Sequence, residues 1–137
     1  MENSTLKTQI PFLKNNWLLS ASMLNFDFPA LIKTMKHKLT WENGELNSMV
    51  LLKSPGKQIV LTTLHEGTEV KSFQSDDSIT FEVMEGKLKF HTHKTTMVLG
   101  KGQLITLSEN MKYSLITIEE TVLLMTITNY ISAPGKN

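Results

Sequence analysis

Apolar and polar residues alternate one by one through the middle of the chain. Ile79, Phe81 and Val83 share one parity, whereas Thr80 and Glu82 share the other. Successive side chains of a β-strand point to opposite faces, so this pattern predicts a strand with one buried face. The alternation continues beyond Gly86, where the apolar positions are 88 and 90 and lysines occupy 87 and 89. The two segments therefore predict a hairpin whose apolar face points inward and whose lysines point to solvent.

From residue 41 onward, runs of five to eight β-branched and apolar residues are separated by glycine or proline. Short strands with evenly spaced turns are typical of a β-sandwich or β-barrel, so the fold class is all-β. The predicted strands cover 47–54, 57–65, 69–74, 78–85, 87–93, 95–99, 103–107, 111–117 and 121–128.

The N-terminal part lacks the strand alternation and contains a helical pattern of apolar residues instead. Pro29 suits a first helical turn, and Leu31, Ile32 and Met35 share one helical face, which predicts one short helix at about 28–38. Residues 1–26 show no clear period, but their apolar side chains are too many for a free tail. We expect an N-terminal arm and helix at 1–40, a β-barrel at 41–130 and a tail at 131–137.

Composition narrows the function classes. The 137-residue chain has a net charge of +1 and an isoelectric point near 8.0, which predicts no strong attraction to nucleic acid or to membranes. It contains no cysteine, so disulfides, thiolate metal sites and cysteine nucleophiles are excluded. No apolar run approaches the roughly 20 residues that cross a bilayer, and we expect a cytoplasmic protein.

Three glycines carry a resemblance to a known family. The first motif of cupins reads Gly-x5-His-x-His-x3-Glu-x6-Gly, and Gly67 and Gly86 match its two glycines without a gap. The second motif, Gly-x5-Pro-x-Gly-x2-His-x3-Asn, opens at Gly102 after the short spacer 87–101. Over about 45–128 the chain resembles a small single-domain cupin, which implies a jelly-roll β-barrel.

The metal ligands of the family are not matched. Its three first-motif ligands fall on Phe73, Ser75 and Ile79, and its second-motif ligand falls on Tyr113. Transition metals need lone pairs from imidazole, carboxylate or thiolate, and a neutral serine or tyrosine hydroxyl is a poor substitute. The sequence therefore predicts no metal and no other cofactor. The Pro, Gly and Asn positions of the second motif hold Ser108, Asn110 and Thr117.

Two histidines form the other candidate metal site. His91 and His93 share a strand face and are spaced to chelate, but they continue the parity of the outward lysines. We interpret them as an exposed or interface pair.

Tyr113 is the strongest candidate for chemistry or recognition. It shares parity with Met111 and Leu115, so its phenol is expected in an apolar inward row, with Ser75 or Gln74 as a hydrogen-bond partner. The candidate binding residues of the barrel interior are Phe73, Ser75, Ile79, Phe81, Met111 and Tyr113.

Three functions are compatible with this interior. The first is a metal-free binding or regulatory module for a small apolar or carbohydrate-like ligand. The second is a metal-independent isomerase that uses Tyr113 as an acid, although no inward base is predicted. The third is a structural or interaction protein with a filled barrel. We expect a binding module rather than an enzyme, and a homodimer in which the arm at 10–26 covers an exposed strand edge.

Overall fold

The structure, a computed structural model, describes residues 23–71, 77–108 and 110–129. These residues form two helices, α1 (Phe28–Lys36) and α2 (Leu39–Glu42), and nine strands. The strands are β1 (Asn47–Ser54), β2 (Lys57–Leu64), β3 (Glu69–Lys71), β4 (Ser78–Glu85), β5 (Lys87–His91), β6 (Thr96–Gly100), β7 (Leu104–Leu107), β8 (Ser114–Thr117) and β9 (Thr121–Thr128).

The described strands form two antiparallel sheets. One has five strands in the order β1-β2-β9-β4-β7, and the other has four in the order β3-β8-β5-β6. Neighbours in each sheet are mostly distant in sequence, as in a jelly roll, where the chain crosses repeatedly between sheets. No ladder between described strands joins the two sheets, so the predicted barrel is a two-sheet structure that backbone pairing does not close.

The predicted elements agree closely with the observed ones, with shifts of one or two residues at several element ends and three further differences. The predicted strand 87–93 ends at His91, because Thr92 turns the chain: its amide donates to the Thr95 carbonyl, and its hydroxyl accepts from the amides of residues 94 and 95. The predicted strand 111–117 begins only at Ser114. Helix α2 was not predicted, so the expectation of one short helix is wrong. Residues 72–76, which include the end of a predicted strand, lie outside the described residues.

The space between the two sheets holds an apolar core that we call the inner core. Its aliphatic and aromatic side chains come from the inward positions of both sheets, and the rings of Phe81 and Phe90 are each 1% exposed. The inward parity predicted for this hairpin is confirmed, because Val83 and Leu88 are also buried whereas Lys87 and Lys89 are exposed. The described candidate residues of the interior, Ile79, Phe81, Met111 and Tyr113, belong to this core or pack against it.

A second apolar layer, the outer core, lies on the opposite face of the five-stranded sheet. Helix α1 covers β1, β2 and β9 there, and its Ile32 and Met35 are buried against Leu51, Leu61 and Val122. The helix begins as predicted: Asp27 caps it by accepting a 3.2 Å hydrogen bond from the Ala30 amide, and Pro29 occupies the first turn.

An ion-pair cluster closes the outer core. Lys36 at the end of α1 places its Nζ 2.6 Å from a carboxylate oxygen of Glu120 and 3.6 Å from one of Glu85. Glu85 reaches this side because a register shift between Val83 and Glu85 places it opposite Val122, an outer-core residue. The register shift in β4 thus allows Glu85 to form an ion pair with Lys36 of helix α1.

Trp41 anchors helix α2 beside this cluster. Its ring stacks on that of His65 with centroids 3.5 Å apart, and the His65 Nε2 lies 2.9 Å from the Trp41 carbonyl oxygen. Trp41 is buried, and the Lys36 ammonium lies 6.0 Å from its ring centroid. This contact fixes the single turn of α2 that the sequence pattern does not reveal.

Candidate functional site

The glycine skeleton of the two motifs adopts the conformations that glycine allows. Gly67, Gly86 and Gly102 have φ angles of 81°, 92° and 86°. Gly86 is also sterically locked, because a Cβ there would meet the Glu120 carbonyl oxygen and the Thr121 backbone. Asn110, at the motif's second glycine position, has a φ of 66°. Asparagine tolerates this left-handed region better than other residues with a Cβ, so it can replace the glycine there.

Thr117, at the asparagine position of the second motif, fastens the turn at 65–68. Its hydroxyl donates to the His65 carbonyl at 2.6 Å and accepts from the Thr68 amide at 2.9 Å. Its backbone carbonyl accepts from the Gly67 amide at 2.9 Å. The side chain is buried, so these bonds join β8 firmly to the turn that begins the first motif.

Three aromatic rings meet in the inner core. Tyr113 stacks on Phe90 with centroids 5.4 Å apart and an interplanar angle of 14°, and it lies edge-on to Phe81 at 5.0 Å. Phe81 and Phe90 are 5.4 Å apart. Both phenylalanines are fully buried, whereas Tyr113 is half-buried and packs on the core from one side. Its ring is thus held by two aromatic contacts, each of the geometry that aromatic pairs favour.

Burial raises the pKa of the Tyr113 phenol above its usual 10.0, because the phenolate would lose hydration. The hydroxyl is therefore neutral at physiological pH and is able to donate a hydrogen bond. A neutral phenol binds transition metals much more weakly than a thiolate or an imidazole does.

Exposure of the inward side chains increases toward one end of the inner core. Along β4, Val83 and Phe81 are 0% and 1% exposed, whereas Ile79 is only partly buried. On the neighbouring β9, Leu123 is buried and Met125 is partly buried. Met111 and Tyr113 pack on the core at its partly exposed margin. The predicted inward placement of the described candidate residues, Ile79, Phe81, Met111 and Tyr113, is consistent with these positions.

Phe73 and Ser75 lie outside the described residues, so their predicted contacts stay predictions. Gln74, the other partner proposed for Tyr113, lies outside them too.

The residues at the family's ligand positions do not fit a metal ion. Ile79 and Phe73 have no lone pair, and Ser75 and Tyr113 are neutral alcohols. Every fully buried polar side chain in the described part of the chain is a threonine. Over the same residues there is no group of three or more histidine and acidic side chains able to hold a metal.

The histidine pair at the end of β5 faces solvent as predicted. His91 and His93 are both exposed, and His91 Nδ1 lies 2.5 Å from the hydroxyl oxygen of Thr96 on the adjacent strand. That contact fixes the His91 ring on the outer face of the four-stranded sheet.

Phe90 is a site residue that the candidate set omits. Its ring stacks on that of Tyr113 at an interplanar angle of 14°, yet it lies outside both motifs. Its parity with Leu88 is the sequence signal that marks it as inward.

No helix among the described residues is long and apolar enough to span a membrane.

Comparison with known proteins shows the fold. No family model and no curated protein matches the chain. Solved structures match the chain in fold. A protein of unknown function from Streptococcus pyogenes is 18% identical and superposes with a TM-score of 0.61. The match covers 69% of this chain and 87% of that protein. The Cnp3 cupin domain of Schizosaccharomyces pombe is 19% identical, with a TM-score of 0.61, and the match covers 66% of this chain and 69% of that domain. A cupin-2 domain protein from Shewanella frigidimarina is 16% identical, with a TM-score of 0.60, and the match covers 76% of this chain and 94% of that protein. The chain has the cupin fold, and the predicted fold class is confirmed.

Proposed function

We propose that the protein is a metal-free binding module, whose ligand is small and either apolar or carbohydrate-like. The observation that carries this proposal is the half-buried Tyr113, which contacts Phe81 and Phe90 and is one of the partly buried side chains that pack on the inner core. Apolar side chains combined with a few placed polar groups are the usual lining of a small-molecule site.

The chemistry of this end of the core defines the ligand class. Ile79 and Met111 offer apolar contact, and the Tyr113 ring offers a flat surface for an apolar or sugar ring face. The neutral phenol supplies one hydrogen-bond donor to a hydroxyl or carbonyl oxygen of the ligand. Phe73 and Ser75 complete the site in this proposal.

One observation favours a second function, a structural or interaction protein. The rings of Phe81 and Phe90 are 1% exposed, so the described part of the inner core is filled by side chains beneath Tyr113. In that case the activity lies on an outer surface. The isomerase alternative has no observation in its favour among the described residues.

The proposal is tested by thermal-shift screening of hexoses, pentoses, sugar acids and small aromatic alcohols, followed by calorimetry. A ligand present at 100 times its dissociation constant stabilises the native state by about 2.7 kcal/mol. Tyr113→Phe keeps the ring and removes the donor, so we expect affinity to fall about tenfold. Leu104→Ala, at an exposed position of β7 that belongs to neither core, is the control and leaves affinity unchanged.

The outcomes separate the two functions. Absence of any stabilising compound, or ligands that bind equally well to Tyr113→Phe and Met111→Ala, would exclude the binding site and leave the interaction protein.

We also propose a homodimer. Strand β1 is an eight-residue edge of the five-stranded sheet, and Val50 on it is exposed. An uncovered edge of this length favours pairing with another chain or segment. Residues 10–22 of the predicted covering arm lie outside the described residues. Light scattering at micromolar concentration decides between dimer and monomer.

Cytoplasmic residence stays a prediction.

A further inference from the structure

The outer face of the four-stranded sheet carries an unusual mixture of lysines and aliphatic side chains. On β5, Lys87 and Lys89 point outward, because Leu88 and Phe90 between and beyond them are buried in the inner core. The register places Lys89 opposite Ile116 of β8 on one side and opposite Val98 of β6 on the other. Residues directly opposite each other lie on the same sheet face, so the three side chains form one row.

This face has an excess of positive charge. Its outward strand positions carry Lys71, Lys87 and Lys89 but a single acid, Glu69, whose carboxylate lies 3.9 Å from the Lys71 ammonium. That pair is exposed and contributes little. No carboxylate of the described residues lies within ion-pair distance of Lys87 or Lys89. Side chains two positions apart on a strand are about 7 Å apart, so the two ammonium groups reinforce each other's field.

Among the described residues, no helix covers this face as α1 covers the five-stranded sheet. Helix α1 buries the outer core there, whereas Ile116 and Val98 are 40% and 52% exposed. Exposed aliphatic residues next to cations are complementary to a partner that carries both apolar and acidic side chains.

We propose that this outer lysine face, defined by Lys71, Lys87, Lys89, Val98 and Ile116, docks an acidic segment of a partner protein. Its carboxylates pair with the lysines, and its apolar side chains contact Val98 and Ile116. A protein segment fits better than a nucleic acid, because single strands are held by stacking on aromatic rings and none of the five residues is aromatic. It also fits better than a bilayer, because Lys89 lies between the two aliphatic side chains and breaks the apolar patch that insertion needs.

The test uses the full chain and a labelled, capped octapeptide in which glutamate alternates with leucine. Fluorescence anisotropy at low ionic strength measures its affinity, and a peptide with lysine in place of glutamate is the negative probe. The test variant is Lys87→Glu with Lys89→Glu. The control variant is Lys33→Glu with Lys38→Glu, which changes the net charge equally at two exposed lysines near the C-terminal end of α1.

We expect the β5 double variant to weaken binding about tenfold or more and the control by no more than about twofold. Ile116→Thr, which leaves the charge unchanged, should weaken binding about threefold. Chemical-shift changes in the wild-type chain should map to β5, β6 and β8, which locates the site without any variant.

Equal weakening by the two double variants would show a non-specific charge effect and overturn the proposal. Shift changes elsewhere would also overturn it. Equal or tighter binding of single-stranded DNA or of phosphatidylserine vesicles would overturn the choice of an acidic protein segment.

Discussion

The inner core and the outer core lie on opposite faces of one five-stranded sheet, yet they are built differently. The inner core holds three rings in mutual contact and ends in partly exposed side chains. The fully buried side chains of the outer core are aliphatic or methionine, with Phe26 and Phe28 packed at its margin, and Lys36 closes it through Glu85 and Glu120. Helix α1 lies outside the region that resembles cupins. The comparison teaches that the two sheets enclose one core, which carries the candidate site, whereas helix α1 adds a second core against the other face of the five-stranded sheet.

The largest expected effects come from emptying each core in turn. Phe81→Ala should destabilise the protein by about 4 kcal/mol and Met35→Ala by about 3 kcal/mol, because each removes a side chain that is 1% exposed and leaves a cavity. Urea unfolding measures both losses. The distinguishing result is local: Met35→Ala should speed amide exchange in α1 while the Tyr113 ring resonances stay in place. Displacement of those resonances by Met35→Ala would contradict the separation of the cores.

Two buried threonines, one on each side of the five-stranded sheet, differ in whether their hydroxyls are hydrogen-bonded. The hydroxyl of Thr117 makes two hydrogen bonds on the inner side, whereas the hydroxyl of Thr63, on the outer side, is buried and has no hydrogen-bond partner among the described residues. Thr117→Val should therefore cost about 2 kcal/mol, and Thr63→Val should be neutral or stabilising by up to about 1 kcal/mol. The melting temperature of each variant, compared with that of the wild type, shows whether the substitution stabilises or destabilises the protein. A loss of stability in Thr63→Val would show that its hydroxyl is satisfied.

The ion-pair cluster is expected to contribute less. Lys36→Met should cost about 1 kcal/mol or less, because Glu85 and Glu120 are about half exposed and water screens the attraction. The difference from wild type should shrink in high salt. Lys33→Met, on the same helix but exposed, is the control with no expected change. An equal loss in both variants would assign the effect to helix propensity instead.

The smallest effect is confined to alkaline pH. The pKa of Tyr113 is raised in the folded state, so its contribution to stability is fully present below pH 10.0 and is lost as pH rises through the folded pKa. The stability difference between wild type and Tyr113→Phe should therefore stay flat at neutral pH and turn against the wild type above about pH 10. Denaturant unfolding across this range measures the difference. A change that begins near neutral pH would mean that another group is responsible.

Much of the fold follows from local patterns. The predicted bounds of β1, β4 and β9 equal the observed ones, because alternation and the turns at Pro55-Gly56 and Gly86 define them. The end of β5 at His91 depends on one threonine hydroxyl, and helix α2 depends on the Trp41–His65 stack across 24 positions. Such contacts between distant residues leave no period in the sequence.

The candidate site is predictable to the same extent. Motif spacing identifies Tyr113 and Ile79, and alternation identifies Phe81, so the inward row is found without a structure. Phe90 is missed as a site residue because it belongs to no motif, and its stacking on Tyr113 exists only once β5 pairs with β8. The exposure gradient along the inner core is likewise a property of the assembled sheets.

The five-stranded sheet has a consequence for how the molecule unfolds. Its central strand β9 contributes Val122 and Leu124 to one core and Leu123 and Met125 to the other, and β4 likewise serves both through Val83 and Met84. Neither core can melt completely while these strands keep their ladders, so global denaturation should be a single cooperative event. Backbone protons of β9 should then be the last in the chain to exchange with deuterium.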